Sequence, residues 1–239
     1  MKPKAITFDF WRTLFRDSDG ELRNELRVRA FMDASGAPED AVRRAFEVWP
    51  AEFARVHMEE QRTLTPHDAV RMVCETLDVR LAQEAADTVA RAFSEAILEY
   101  PAVPIDGALE AVRAAAARVP VAVISDTAIS TGRCLRQLLK RFDFATSFAT
   151  TTFSDEVGVS KPQRAMFERT ASALGVEPAA LLHIGDLEPT DVVGVHGVGG
   201  TAGLFTADNA RFLGNTQAEY TFTTWGEFID RLPELVQTG

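Results

Sequence analysis

Four short stretches place chemically capable side chains at the ends of apolar runs. TFDFWRTLF (7–15) ends its run in one carboxylate, Asp9, with Thr13 four residues on. VAVISDT (121–127) ends in Ser125, followed by Asp126. FSDEVGVSKP (153–162) leads to Lys161 immediately before Pro162, and LLHIGDLEPTD (181–191) ends in Gly185 and Asp186 with Asp191 five residues later. Together they offer a carboxylate nucleophile, hydroxyl and amide donors, one ammonium, and hard oxygen ligands of the kind Mg²⁺ takes alongside a substrate phosphate. Each is commonplace alone; in this order, at the ends of successive strands, the set is specific. Proline at 162 suits the first turn of a helix, which would aim a helix N-terminus at the same place as the ammonium.

The elements that must position these residues follow from periodicity. Short apolar runs at 5–8, 121–124, 181–184 and 201–205 read as strands, and YTFTTWGEFIDRLPEL as a last strand and helix with Trp225 as a packing residue. Helical patterns lie between them: Leu135, Leu138, Leu139 and Phe142 repeat at i, i+3, i+4, i+7, as do Phe167, Ala171 and Leu174. Alternation of this kind predicts βαβ units and an α/β, Rossmann-like three-layer core with a parallel sheet. Ligands of such sheets bind outside the carboxyl ends of the strands, where the four stretches end.

Residues 16–100 differ in kind. They show no convincing strand and at least three amphipathic helices: Val42, Ala45, Phe46, Trp49 and Phe53, interrupted or kinked at Pro50; Val70, Val73, Cys74 and Leu77 behind a Thr65-Pro66 start; and Val89, Phe93, Ile97 and Tyr100. A helical module (16–100) is therefore expected to interrupt a core built from 1–15 and 101–239, with hinges near 15–20 and 98–104.

Composition narrows the partners. With 239 residues and 46% hydrophobic content the chain can bury a full core. A net charge of −10 spread along the sequence disfavours nucleic acid and anionic membrane, leaving a small-molecule substrate. No segment reaches the ~18 apolar residues of a membrane span, nothing near the N-terminus resembles a secretory signal, and a cytoplasmic location is expected. Cys74 and Cys134 lack metal-ligand spacing and read as buried free thiols. Oligomeric state is left open.

On these motifs the chain resembles the haloacid dehalogenase (HAD) superfamily of hydrolases with a helical cap inserted after the first motif. The resemblance implies that Asp9 is a nucleophile forming a covalent aspartyl intermediate. Lys161 and Ser125, with Thr13, Asp126 and Trp11 nearby, would bind the transferring group and substrate, and Mg²⁺ would be held by Asp9, the backbone carbonyl of Trp11, Asp186 and the second acid Asp191.

One departure matters. In the phosphatase branch the residue two past the nucleophile is usually a second aspartate serving as general acid and base; here it is Trp11, whose indole has an N–H of no useful acidity. Losing that group costs ~10²–10⁴ in rate, roughly 3–5 kcal/mol of barrier. Arg12 also stands where a glycine is usual, which questions the loop geometry. An aromatic at position 11 resembles the dehalogenase branch instead, yet that branch works without metal, whereas Asp186 and Asp191 are both present. The phosphonate-cleaving branch needs a cap lysine, and the lysines are only Lys2, Lys4, Lys140 and Lys161. The expectation is a Mg²⁺-dependent phosphatase acting on a small phosphorylated metabolite, with a 2-haloacid dehalogenase-like hydrolase or a non-catalytic binding protein as alternatives. Asp126 and Glu188 are the carboxylates that could replace the missing acid; His57, His67, Arg55 and Arg62 are the module's substrate-contact candidates against a default of solvated helix faces. His183 reads as a satisfied core histidine, and His196 has no role.

Overall fold

A computed structural model describes residues 2–236; Met1 and 237–239, at the ends of the expected core, lie outside the described residues. Six strands form one parallel sheet: β1 (Ala5–Phe8), β4 (Val121–Ser125), β5 (Thr150–Phe153), β6 (Leu181–Gly185), β7 (Thr201–Phe205) and β8 (Tyr220–Phe222), in the order β5-β4-β1-β6-β7-β8. β1, β4 and β6 are buried at every residue, which is why each reads as a continuous apolar run rather than an alternating one. β1 is flanked in parallel by β4 and β6, so the chain works outward on one side and returns on the other. Asp9, Ser125 and Asp186 therefore sit at the carboxyl ends of three neighbouring strands, beside the switch point where a crevice opens.

The inserted module is all helix: α1 (Gly20–Ser35), α2 (Glu39–Arg55), α3 (Pro66–Leu77) and α4 (Gln83–Glu99). Its own apolar cluster joins Phe31, Phe46, Trp49, Val70, Val73 and Phe93, apart from the sheet cores. Thr65 caps α3 reciprocally with Asp68, as its sequence suggested. Of the two outcomes expected at Pro50, an interruption does not occur: α2 runs through it to Arg55, before a π-helical turn at Val56–Glu60. α1, absent from the periodicity reading, buries Arg23 and Arg27 on its inner face, which erases the apolar stripe a sequence search looks for.

The two crossings between module and core pair as a small antiparallel ribbon, β2 (Phe15–Arg16) with β3 (Val103–Pro104). Around the sheet lie α5 (Ala108–Ala116), α6 (Gly132–Arg141), α7 (Ser154–Val157), α8 (Arg164–Leu174), α9 (Val193–Gly197) and α10 (Trp225–Leu235). α8 begins at Arg164 with Gln163 as its cap residue, so Pro162 belongs to the preceding turn and not to the helix's first turn. Cys134 is buried and Cys74 half-buried, both free. Among the described residues no helix is long and apolar enough to cross a membrane.

Trp225 is fully buried, stacks on Phe205 at 4.2 Å between ring centroids, and donates its indole N–H to the Thr13 carbonyl at 3.2 Å. It thus ties the loop after β1 to the last helix. Trp225→Phe is expected to lower stability by about 1–2 kcal/mol in urea unfolding, from one lost hydrogen bond and a packing defect.

Candidate functional site

Asp9 leaves β1 with its amide still bonded to the Ile184 carbonyl, so the sheet ladder fixes where its side chain starts. The loop that follows turns on Arg12, which adopts a left-handed conformation at φ 56°, with its amide bonded to the Phe15 carbonyl at 2.7 Å. The turn a glycine would make is therefore made by arginine, at a backbone cost of about 1–2 kcal/mol. Phe10 anchors the loop by stacking on Phe15 at 4.3 Å, while Trp11, half-buried, is left facing the crevice.

Lys161 is the hub. Only 2% exposed, its Nζ donates to Asp9 Oδ1 at 2.7 Å and to Asp191 Oδ1 at 2.6 Å, and its backbone amide donates to Asp126 Oδ1 at 2.9 Å. Burial alone would strip its proton, but Asp191, Asp9 and Asp126 raise its pKa well above the usual lysine value. Asp191, in the π-helical turn Glu188–Val192, has both oxygens engaged: Oδ1 also meets His183 Nε2 at 3.0 Å, and Oδ2 accepts the Leu187 amide at 2.9 Å. Burial would push its pKa up; Lys161 and His183 instead hold it below the ordinary carboxylate range.

A permanently ionised Asp191 also fixes the histidine. Nε2 must carry the proton it donates, so Nδ1 accepts from the Thr7 hydroxyl at 2.8 Å, and burial lowers the ring's pKa toward this neutral form. His183 is a satisfied core histidine as expected, and it also orients the acid that orients the lysine.

Asp186 follows β6 and accepts from Asn209 Nδ2 at 2.7 Å. Burial first, then the charges of Asp191 and Asp9, push its pKa to about 8. Burial likewise raises Asp9, against the pull of Lys161. Asn209, just past β7, carried no sequence signal beyond its place near a strand's carboxyl end.

These groups open into a cavity of about 340 Å³ whose other wall is the helical module, through Phe53, Ala54, His57 and the 62–64 segment. Asp9, Trp11, Asp126, Lys161, Asp186 and Asp191 all line it, so six of the eight expected residues converge. The other two do not reach its surface. Thr13 is fully buried with its hydroxyl unpartnered, and the Ser125 hydroxyl turns to the Asp126 carbonyl at 3.3 Å. Of the replacement acids, Glu188 is occupied by Thr216 and the Gln217 amide, whereas Asp126 faces the cavity with Oδ2 3.7 Å from His57 Nε2. Burial lifts Asp126 to about 7. Burial, with Lys161, depresses His57. Arg62 lines the cavity; Arg55, His67 and His196 are spent on exposed pairs with Glu52, Asp87 and Glu219.

Gly185 permits the whole arrangement, because a Cβ there would lie 2.2 Å from the Asp191 carboxyl carbon. Gly185→Ala is expected to displace Asp191 from Lys161 and to cost about 1–3 kcal/mol in urea unfolding. A second prediction concerns pH. The folded pKa of Asp126, about 7, exceeds the ~3.9 of an unfolded aspartate. The folded state therefore binds this proton more tightly, and the group's stabilising contribution is lost as pH rises from ~4 through 7. Asp126→Asn is expected to raise Tm at pH 8 by more than at pH 4.5, as measured by thermal melts.

Comparison with known proteins agrees with this fold. Among curated proteins no significant match to the sequence was found. Solved structures similar over nearly the whole chain include a 2-haloacid dehalogenase from Pseudomonas syringae pv. Tomato DC3000 (17% identity, 98% of this chain and 97% of that one, TM-score 0.69). The putative HAD-hydrolase YfnB from Bacillus subtilis, bound to magnesium, is 15% identical over 98% of this chain and 100% of its own (TM-score 0.67). A HAD phosphatase from Thermococcus onnurineus is 21% identical over 96% and 98% (TM-score 0.66). A sequence model of the haloacid dehalogenase-like hydrolases matches residues 3–199, and the chain belongs to that family.

Proposed function

We propose that the protein is a Mg²⁺-dependent phosphatase acting on a small phosphorylated molecule through an aspartyl phosphate on Asp9, with residues 16–100 as the cap over the site. The observation that carries this reading is the second acid, Asp186, held beside Asp9 in the same cavity. Among the described residues, hydrogen bonds engage one oxygen of each, leaving Asp9 Oδ2 and Asp186 Oδ1 free. Two neighbouring carboxylates, of which Asp186 is pushed to about 8 by burial first and then by the charges of Asp191 and Asp9, form a donor set that a hard divalent cation satisfies. The donors therefore fit Mg²⁺: Asp9, Asp186 and the Trp11 carbonyl would hold it. Asp191 is better assigned to positioning Lys161, since both its oxygens are already used. When bound, the metal would neutralise charge on the phosphoryl oxygens.

The chain's own groups account for the remaining steps. Lys161 favours the ionised form of Asp9 against the effect of burial and orients it, while offering its charge to the transferring group. Trp11 supplies no proton, but Asp126 shares the cavity, and a carboxyl with a pKa of about 7 is partly in its acid form at neutral pH. Asp126 would protonate the leaving oxygen and then, as carboxylate, take a proton from the water that hydrolyses the intermediate. His57 extends that relay to the cap.

One observation favours a second reading. Trp11 on the cavity wall suits a metal-free attack of Asp9 on a carbon bearing halide, which needs no acid for its leaving group. Phosphate release from acetyl phosphate and p-nitrophenyl phosphate, with Mg²⁺ and with EDTA, separates the two. Wild type should release phosphate only with Mg²⁺, and Asp9→Asn should lose roughly 10³-fold or more. Asp126→Asn should lose roughly 10²-fold with p-nitrophenyl phosphate and less with acetyl phosphate, whose leaving group needs less help. Silence in every lane, with halide released from 2-haloacids in EDTA, would transfer the assignment to dehalogenation.

A further inference from the structure

A second cavity, of about 470 Å³, lies against the first: Trp11, Arg12, Phe53 and Ala128 line both. Its far wall belongs to the helical module and contains Arg23 and Arg27, only 3% and 7% exposed. Arg23 is paired with Asp17 and donates to the Tyr100 carbonyl at 2.9 Å. Among the described residues Arg27 has no such counter-ion. Its Nε donates to the Phe93 carbonyl at 3.1 Å and its Nη1 to the Asn24 side-chain oxygen at 2.9 Å, both neutral acceptors, and no hydrogen bond within the described residues engages Nη2. Trp49 flanks the guanidinium at 5.9 Å from its ring centroid.

A buried cation without a carboxylate is costly, the more so in pairs, and a protein keeps one where a ligand completes the pairing. The chain is strongly acidic, so an anion finds few other reasons to enter it. The charge is also placed where a substrate can use it. The two cavities share Trp11 and Phe53 as an apolar boundary, and Trp49, Pro50 and Ile129 add apolar surface within the second. Burial and the neighbouring Arg23 depress the Arg27 pKa to about 10, which still leaves it charged at neutral pH.

We propose that this cavity is an anion subsite in which Arg27, assisted by Arg23, holds a second anionic group of the substrate while the first group lies at Asp9 and Trp11 packs on the carbon chain between them. Resting on the phosphatase reading, this names the substrate class: a phosphate monoester that carries a further carboxylate or phosphoryl group at the opposite end of a short apolar chain.

Two experiments test it. The first needs no turnover: calorimetric titration of full-length protein with glutarate, adipate and suberate in EDTA. Binding is expected for wild type, with an affinity at least tenfold weaker in Arg27→Gln. Because Arg27→Gln also removes bonds within the module, Asn24→Asp is the second variant. It keeps the exposed position and the contact with Nη1 but supplies an internal carboxylate, so it should weaken binding as much while melting like wild type. The second compares kcat/KM for ω-phosphooxy carboxylates, alkane bisphosphates and alkyl monophosphates of matched length. The doubly anionic esters should be favoured at least tenfold, mainly through KM, and the ratio should fall toward one in Asn24→Asp; the better of the two identifies the second group. Unchanged dicarboxylate binding in a folded Asn24→Asp, or no binding in wild type, overturns the subsite whether or not phosphate is released. Dicarboxylate binding without any phosphate release would retain the subsite and remove the phosphatase reading instead.

Discussion

The buried ammonium of Lys161 is the constraint on which the site depends. An unpaired charge in this position would cost several kcal/mol, and the pairing with Asp9 and Asp191 is what makes its burial tolerable. Those pairings in turn dictate the backbone. Asp9 must end β1, Asp191 must fold back from the turn after β6, and Gly185 must leave room for it. His183 and the Leu187 amide then saturate Asp191, so the acid cannot drift from the lysine. The hydrogen-bonded chain Thr7–His183–Asp191–Lys161–Asp9 starts on β1 and ends at the residue just past it, with His183 on β6 between, which ties the site to the centre of the sheet.

How much of this was legible follows from burial. Strands buried on both faces appear in sequence as short apolar runs, so the carboxyl ends at Asp9, Ser125 and Asp186 were visible without coordinates. β5, TTTF at the sheet edge, was not, because edge threonines carry little hydrophobic signal. α1 escaped notice for a more telling reason: the residues it buries include two arginines, so the inference that hydrophobic positions mark the inner face failed where charge is placed inside for use. The convergence of Asp9, Lys161, Asp186 and Asp191 was readable from motif order, but the depth of Ser125 and Thr13 was not, since a strand-end hydroxyl may turn to the cavity or to a local carbonyl with equal ease of sequence. Asn209 comes from irregular chain beyond β7, where no periodicity exists to be read.

Trp11 is the point at which the two levels meet. In sequence it is an absence, the general acid that is not there. In space it is a wall common to two cavities, one holding Asp9, Asp126, Asp186, Asp191 and the lysine, the other Arg27 and the Arg23–Asp17 pair. An aspartate at position 11 would put one more charge among Asp9, Asp126 and Asp186, each already raised by burial and further by neighbouring acids. An indole adds none and presents a flat apolar face for a carbon chain. The exchange of a proton donor for a packing surface is tolerable only if another carboxyl handles the proton, and Asp126, the cavity acid with a pKa nearest neutrality, has its Oδ2 turned toward His57 while Oδ1 accepts the Lys161 amide.

The helical module is not held to the core by the β2–β3 ribbon alone. The carbonyl of Gln61, which itself takes a left-handed conformation after the π-helical turn, accepts both the Ser160 amide at 2.9 Å and the Gln163 side chain at 3.0 Å, and Thr63 bonds to Ser154. Gln61 is thus docked on residues flanking Lys161, and Thr63 on the first residue of α7. Were the module to separate from the core for substrate entry, these bonds would break on one side of the site while the ribbon bent on the other, and the bond to the Ser160 amide, one residue before the lysine, would go with them. A ligand that bridges the Arg27 wall and Asp9 spans the same two bodies and would favour the docked state by pulling from the opposite side, so that the group which identifies the substrate also completes the alignment of the group that acts on it.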